Sequence, residues 1–586
     1  VALGYIRPVA GVSSSRLLPQ PRLIVFFIAN MTVPATGADP QLCSDLESNP
    51  RVSLRTLAHA CLLVVVLLGA LYAWDGRNAH MVGDGISYLD VADAIAHGHW
   101  AASVNATWSP LYPWLLAGAL AFKPSGYWEP TAVHFVNFLI YLGALACFYF
   151  FWAPLVRKEP GWMIFGYAMF AWSSLHLITV SVVTPDLLFS ALIYLALGTL
   201  HRAGEQKSLP MSAATGVVLG LGYLARAVMF PLAFVLFAID LFFHRSFRQT
   251  FLMFLGFFVI SAPWIATLSH SAGHITFSDE GRVTYLTALE RAQYTFADVG
   301  QPSVGADAGI HPMRRLHASP DVLDTQNYAI HSTFPAWYDP SYWYQGARLH
   351  FQTYGVLGQF ESAWRAYIDI LFSWGVFAAG LIVLWLGGGA WRRPDWLTML
   401  WAAAALGAFS IVHVEPRLVA TFVLLLWLWM YRGYFGASSA QVRSAILIVA
   451  LALLVPLLAV APQMTFRAAR DLATRQIAST DWEIASALKS EGLRPGDRIA
   501  YVGNPIEAYF ARLARLSIST WIPERDAEQF WALDAAGKST VFSSMSGAGA
   551  KVVVTENVPP EDRADWQRIG DTTFYFHALA PADFAH

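Results

Sequence analysis

The chain has 586 residues, of which 56% are hydrophobic and only 13% charged, with a formal net charge of −2 and a mean hydropathy of +0.44. Charged residues are at about half their usual share in a soluble domain, so a water-covered globule is excluded and lipid is the expected solvent. No concentrated basic patch of the kind that grips nucleic acid is present, and Cys43, Cys61 and Cys147 stand in no C-x-x-C or metal-type spacing, which argues against a disulfide framework or a cysteine zinc site.

Residues 1–56 form an N-terminal segment. Its first part is basic, and its one apolar run, 23–29, is too short to span a bilayer. Translation is expected to start at Met31, which opens the polar stretch before the first strong apolar segment; the competing reading is a signal peptide. Spans of about 17–25 residues are expected at 57–74, 131–153, 161–178, 186–200, 213–225, 228–243, 250–269, 367–386, 397–413, 418–435 and 445–460, about eleven in all. Between 186 and 243 the runs are short, because Arg226 and Pro231 interrupt them. The stretch 110–122 is apolar but shorter still and reads as a helix on the membrane surface.

Charge asymmetry orients these spans, because basic residues stay on the cytoplasmic side. One set of connections carries Arg157, Lys158, Arg202, Lys207, Arg245, Arg248, Arg392, Arg393, Arg432 and Arg443 against Glu159, Glu205 and Asp395 alone. Arg51 and Arg55 put the N-terminus on that side too. Parity then sends the first loop (75–130), the long loop (270–366) and the tail (463–586) outward, together with the turns 184–186 and 413–417. In a bacterial inner membrane that side is the periplasm. The tail alternates helix and strand signals: a capping box Thr480-x-x-Glu483, then strands at 498–502, 516–520, 551–555 and 573–577. The expected architecture is an all-α polytopic membrane protein, with its membrane domain at 57–462 and a small C-terminal periplasmic α/β domain at 463–586.

The densest chemical signal is Gly83-Asp84-Gly85-Ile86-Ser87-Tyr88-Leu89-Asp90, followed by Trp108-Ser109-Pro110-Leu111-Tyr112-Pro113-Trp114. An Asp just after the first span, a Tyr four residues on and a Pro-Leu-Tyr-Pro-Trp surface helix resemble the first periplasmic loop of the GT-C superfamily of membrane glycosyltransferases, of the protein O-mannosyltransferase and aminoarabinose transferase kind. Asp84 stands where that family places an active-site acid, and Gly85 replaces the second acid often found there. Val183-Thr184-Pro185-Asp186, Gly216–Arg226, Ala262-Pro263-Trp264 and His413-Val414-Glu415-Pro416-Arg417 resemble later family segments, in the right order across about 57–435. The tail lies outside the resemblance. The resemblance implies a GT-C-like helical fold and inverting transfer from a polyprenyl-phosphate sugar.

The residue types suit that chemistry independently. A carboxylate can take the acceptor's proton, and arginines can hold the departing phosphate because they are always charged and can bind it bidentately. Asp84 and Asp186 are the candidate catalytic acids, and Arg226 and Arg417 the candidate phosphate ligands. Tyr88, His413, Glu415, Trp337 and Tyr338 are candidate substrate contacts. Plainer readings stand beside these. Asp84 could cap its helix, Asp186 could serve only the helix dipole, and Arg226 and Arg417 could anchor at the interface.

His80, His97, His99 and His413 match no compact ligand motif, although a divalent metal ion held by Asp84 and a distant partner would also suit a lipid phosphate. The aromatic run 334–344 could stack on sugar or simply lie at the interface, where Trp and Tyr concentrate. Asp279-Glu280-Gly281-Arg282, just after a span, could reach the same site. The leading reading is transfer of a sugar from a polyprenyl-phosphate carrier to a periplasmic acceptor, whether lipid, glycan or protein, at the membrane lipid surface and without nucleic acid. The alternatives are an O-antigen-type polymerase or ligase using a diphosphate carrier, or a transporter or scaffold without enzymatic activity.

Overall fold

The computed structural model describes residues 53–79, 81–123, 126–290, 292, 294–298, 309–325, 330, 332–350, 353–372, 375–386, 395–435, 440–477 and 479–579. The N-terminal segment through residue 52, His80 and the Arg392-Arg393 pair lie outside the described residues. Internal contacts divide the chain into Val1–Ala60 and Cys61–His586. Of the first unit, the described part is the opening of a helix; everything below concerns the second.

Helices lie over the expected apolar runs. They are α1 (Leu54–Asp75), α4 (Trp128–Leu155), α5 (Pro160–Trp172), α6 (Asp186–Gln206), α7 (Leu209–Ala225), α8 (Met229–His244), α9 (Phe247–Ala272), α11 (Val376–Leu386), α12 (Trp396–Val412), α13 (Pro416–Arg432) and α14 (Ala440–Ala459). In the first loop, α2 (Gly83–Ala96) and the surface helix α3 (Leu111–Leu120) fall between α1 and α4. Among the described residues, five helical stretches are long and apolar enough to cross a membrane: Leu54–Asn78, Trp128–Leu155, Asp186–Gln206, Phe247–Ala272 and Gln441–Thr474.

One run differs from expectation. Residues 367–386 are shared between α10 (Thr353–Phe372) and α11. The apolar residues of α10, Leu357, Phe360, Trp364 and Ile368, recur at helical spacing and are exposed, while Glu361 and Arg365 pair between them at 2.6 Å. Polar residues interleaved with an apolar stripe make an amphipathic helix that a search for continuous apolar runs passes over.

The sheet also departs from a self-contained tail. Its strand order is β1-β2-β3-β5-β4-β6-β8-β7. The tail supplies β4 (Arg498–Val502), β5 (Ser517–Ile522), β6 (Ala550–Glu556), β7 (Gln567–Arg568) and β8 (Phe574–Ala578), whereas β1 (Phe296–Ala297), β2 (Met313–Ala318) and β3 (Asp321–Asp324) come from the long loop. Strands β5, β4 and β6 run parallel. Leu323 of β3 pairs antiparallel with Trp521 of β5. Without the loop, β5 would present an open hydrogen-bonding edge, which sheets cover where they can. In the tail, α15 (Thr480–Ser490) is capped by Ser479, whose hydroxyl accepts from Trp482 N at 3.2 Å, one residue earlier than the expected Thr480 box. Adjacent Ser and Thr make that one-residue choice invisible to sequence pattern alone.

One hydrophobic core joins the tail to the first loop. Ile86 and Leu89 of α2, Tyr112 and Leu116 of α3, and the sheet residues Ile518 and Trp521 are buried together. Each such side chain contributes about 1.5–3 kcal/mol when fully buried. The helix that carries Asp84 is thereby fixed against the sheet.

Candidate active site

Asp84 lies in the first turn of α2. That helix is preceded by Val82, which makes no side-chain cap, and the Asp84 carboxylate points elsewhere: its Oδ2 accepts from Arg417 Nη2 at 2.7 Å. Gly85 explains how the helix gets there. A Cβ at Gly85 would lie 2.7 Å from Met81 Sδ and 3.0 Å from the Val183 carbonyl oxygen, so a side chain would push α2 away from the turn that leads into Asp186. Glycine at this position therefore serves close approach. The same turn is held from the other side by Asn137, whose Nδ2 donates to Val182 O at 3.0 Å while its Oδ1 accepts from the Tyr112 hydroxyl at 2.7 Å.

Asp186 opens α6 and its side chain is 2% exposed. It pairs with Arg226, the residue that closes α7, and with Arg417 Nη1 at 3.5 Å. Arg226 also reaches Glu280 at 3.2 Å. Arg417, in the first turn of α13, holds Glu415 at 2.6 Å, and Glu415 in turn contacts His413 Nε2 at 3.0 Å. A continuous network thus runs from Asp84 through Arg417, Asp186 and Arg226 to Glu280. Its carboxylates (Asp84, Asp186, Glu280, Glu415) outnumber its guanidiniums (Arg226, Arg417) by two. Capping and interfacial anchoring alone do not account for this arrangement, since Asp84, Asp186, Arg226 and Arg417 pair with one another across separate helices.

Asp84, Arg226, Glu280, Glu415 and Arg417 of the network line a cavity of about 550 Å³, to which Val228, Pro231, Phe409, Val412 and Leu418 add apolar wall. Trp337 is part of the wall, and its indole N–H is buried without a partner. An unsatisfied donor beside a cavity is costly unless a ligand or water takes it. Burial would raise the Glu415 carboxyl, but the contacts with His413 and Arg417 outweigh it and hold the group down at about 2.

Three of the expected site residues, Asp186, Tyr88 and Tyr338, are not part of the cavity wall. Tyr338 is buried; its hydroxyl donates to Ala102 O at 2.8 Å and its carbonyl accepts from Asn105 Nδ2 at 2.7 Å, so it ties the long loop to the first loop. Tyr88 packs against Trp108 and Tyr112 at centroid distances of 5.3 and 5.5 Å. Burial pushes its hydroxyl well above the ordinary value, opposed by Arg226 and reinforced by Glu280. Glu280 is the member of the network to which residue type and position alone gave no role. Among the described residues no group of three or more His, Cys, Asp or Glu side chains is arranged to hold a metal ion.

A second charged cluster went unseen in the sequence. Arg512, 3% exposed, meets Asp90 at 2.8 Å, Asp93 at 2.5 Å and Glu129 at 3.0 Å, and Arg515 joins Asp93 and Glu129. Burial would raise Asp93, but Arg512 and Arg515 outweigh it and hold it down. The signal was present as Asp90-x-x-Asp93 facing Arg512-x-x-Arg515, two matching spacings on separate helices. A larger cavity of about 780 Å³ lies beside this cluster. It does not reach Asp84, Asp186, Arg226 or Arg417.

No family model and no curated protein matches the chain. Among solved structures, it is similar to ArnT from Cupriavidus metallidurans bound to undecaprenyl phosphate, at 12% identity and a TM-score of 0.48, over 89% of this chain and 98% of that one. It is also similar to the Archaeoglobus fulgidus oligosaccharyltransferase tethered with an acceptor peptide containing the NVT sequon via a disulfide bond, at 12% identity and a TM-score of 0.47, over 85% of this chain and 69% of that one.

Proposed function

We propose that this protein transfers a sugar from a polyprenyl-phosphate carrier to an acceptor at the periplasmic face of a bacterial inner membrane. The observation that carries the reading is the meeting of Asp84, Arg226 and Arg417, bridged by Asp186, at a cavity whose lining mixes charged and apolar side chains. A lipid-linked sugar needs both: polar groups for its hydroxylated ring and phosphate, and apolar wall for its hydrocarbon. The ordered resemblance of residues 57–435 to the GT-C superfamily supports the same assignment.

The reaction is a single displacement. The Asp84 carboxylate accepts the proton from the acceptor hydroxyl, and that oxygen attacks the anomeric carbon. The bond from this carbon to the phosphate oxygen breaks, and the electron pair leaves with the phosphate. Arg417 and Arg226 stabilise the charge released there. Attack opposite the leaving group inverts the anomeric centre. Asp186 keeps both guanidiniums in position, because it contacts each of them. The excess of carboxylates disfavours a carrier with the greater negative charge of a diphosphate.

The test is transfer from a polyprenyl-phosphate sugar by the full chain in lipid nanodiscs. An Asp84→Asn variant should lose about 10²–10⁴-fold in rate, as expected when a general base is removed, with its expression and thermal midpoint kept. Near-normal transfer by that variant would remove Asp84 from the reaction.

A further inference from the structure

A third, smaller cavity of about 220 Å³ opens outside the carboxyl ends of β4 and β5. This is the edge at which open α/β sheets hold their ligands. Its walls are aromatic: Tyr294, Phe334, Tyr344 and Trp521. Phe334 meets Trp521 at 5.2 Å and 87°, Tyr294 meets it at 6.2 Å and 84°, and Tyr294 lies 5.2 Å from Tyr344 at 31°. These rings pack on one another beside a space smaller than the ~300–1,000 Å³ of a drug-sized site, on the scale of a single ring.

The rim sets the chemistry of that ring. Arg525 is already engaged by Asp321 and Asp526. Glu524 is exposed and forms no ion pair with another described residue. Asn504 accepts from Ile506 N through Oδ1 at 3.2 Å, leaving its amide N–H groups as donors. One uncompensated carboxylate repels phosphate and carboxylate ligands but accepts hydrogen bonds from hydroxyls. A compact ring with an apolar face and hydroxyls at its edge, without negative charge, satisfies walls and rim together. That is a neutral pyranose.

The cavity also abuts the reacting centre. Ile506, part of its lining, packs on Gly83, the residue before Asp84. A Cβ at Gly83 would overlap Ile506 Cγ2 and lie 2.9 Å from its carbonyl oxygen. The aromatic strap of the long loop borders both spaces, with Phe334 and Tyr344 on this cavity and Trp337 and Pro340 on the other.

We infer that this cavity is a pyranose-binding subsite that seats a sugar of the acceptor, so that the acceptor is a glycan or glycolipid. Sugar binding here is independent of the transferase reading; only its role as acceptor rests on that reading.

The experiment uses the full chain in detergent micelles, titrated with methyl α-glucopyranoside, methyl α-mannopyranoside and the methyl glycoside of N-acetylglucosamine, with saturation-transfer NMR as readout. At least one glycoside should bind. A Glu524→Gln/Asn504→Ala double variant, altered only at exposed rim positions, should bind it about tenfold or more weakly, the loss expected for hydrogen bonds that include a charged acceptor. Asp84→Asn should bind it like the wild type, and inorganic phosphate should not compete. No binding by the wild type, equal binding by the double variant, or competition by phosphate each overturns the subsite. Glycoside binding without transfer from any polyprenyl-phosphate sugar would instead sink the transferase reading and leave the subsite standing.

Discussion

Arg417 Nη2 donates to Asp84 Oδ2 at 2.7 Å, joining two residues 333 positions apart in the chain. The same guanidinium holds Asp186 and Glu415. Among the described residues it is the one cation that touches the first loop, the start of α6 and the start of α13 at once. Removing it leaves three carboxylates facing one another, and a partly buried charge that loses its partner is expensive.

Replacing Arg417 by Ala should therefore cost about 3 kcal/mol of stability as well as transfer. Arg417→Lys keeps the charge but cannot bridge several carboxylates in one plane, and should recover the thermal midpoint more than the rate. Thermal unfolding in detergent and kcat/KM for the lipid donor check this. Equal recovery of both would argue that Arg417 only neutralises charge.

At Gly83, a Cβ would collide with the loop after β4. Gly83→Ala should destabilise by about 1–3 kcal/mol, the usual cost of overpacking, and should lower kcat/KM for the acceptor while sparing donor binding. The measurement is a pair of titrations, one substrate varied at a time. A defect confined to the donor would contradict the placement of the acceptor beyond Gly83.

The Arg512 cluster clamps the tail to the first loop. Arg512→Ala takes the cation from buried Asp90 and leaves Asp93 and Glu129 to Arg515, and should cost about 3 kcal/mol. Hydrogen exchange should quicken together in α2 and in residues 509–514. Faster exchange in the tail alone would show that the clamp does not steady the Asp84 helix.

Asp339 titrates at about 6, raised by burial against the opposing hydrogen bonds from Ser341 and nearby backbone N–H groups. A carboxyl raised in the fold binds its proton more tightly there than in the unfolded chain, where its value is near 3.8. Its contribution is complete below that value and is lost as the pH rises through about 6. Asp339→Asn should flatten this part of the pH–stability profile, followed as the thermal midpoint in detergent. A variant with the wild-type slope between these values would assign the titration to another group.

Much of the helical framework was legible because hydropathy and helical period are local properties, readable over about 20 residues. The departures have separate causes. The α10 helix interleaves Glu361 and Arg365 with its apolar stripe, and the Ser479 cap sits beside an equally suitable Thr480. For β3 the deciding partner is β5, far along the chain in the tail, although β1 and β2 of the same sheet precede it closely in the long loop.

By itself the amino-acid order determined the lipid-adapted composition, the succession of apolar helices and the placing of Asp84, Asp186, Arg226 and Arg417 at helix ends. Their meeting in one network was a matter of tertiary structure, as were the recruitment of Glu280 and the pairing of Asp90 and Asp93 with Arg512. A charge at a helix end can cap, anchor or pair at similar local cost. Only the packing that removes it from water makes a particular partner across hundreds of residues the favourable choice.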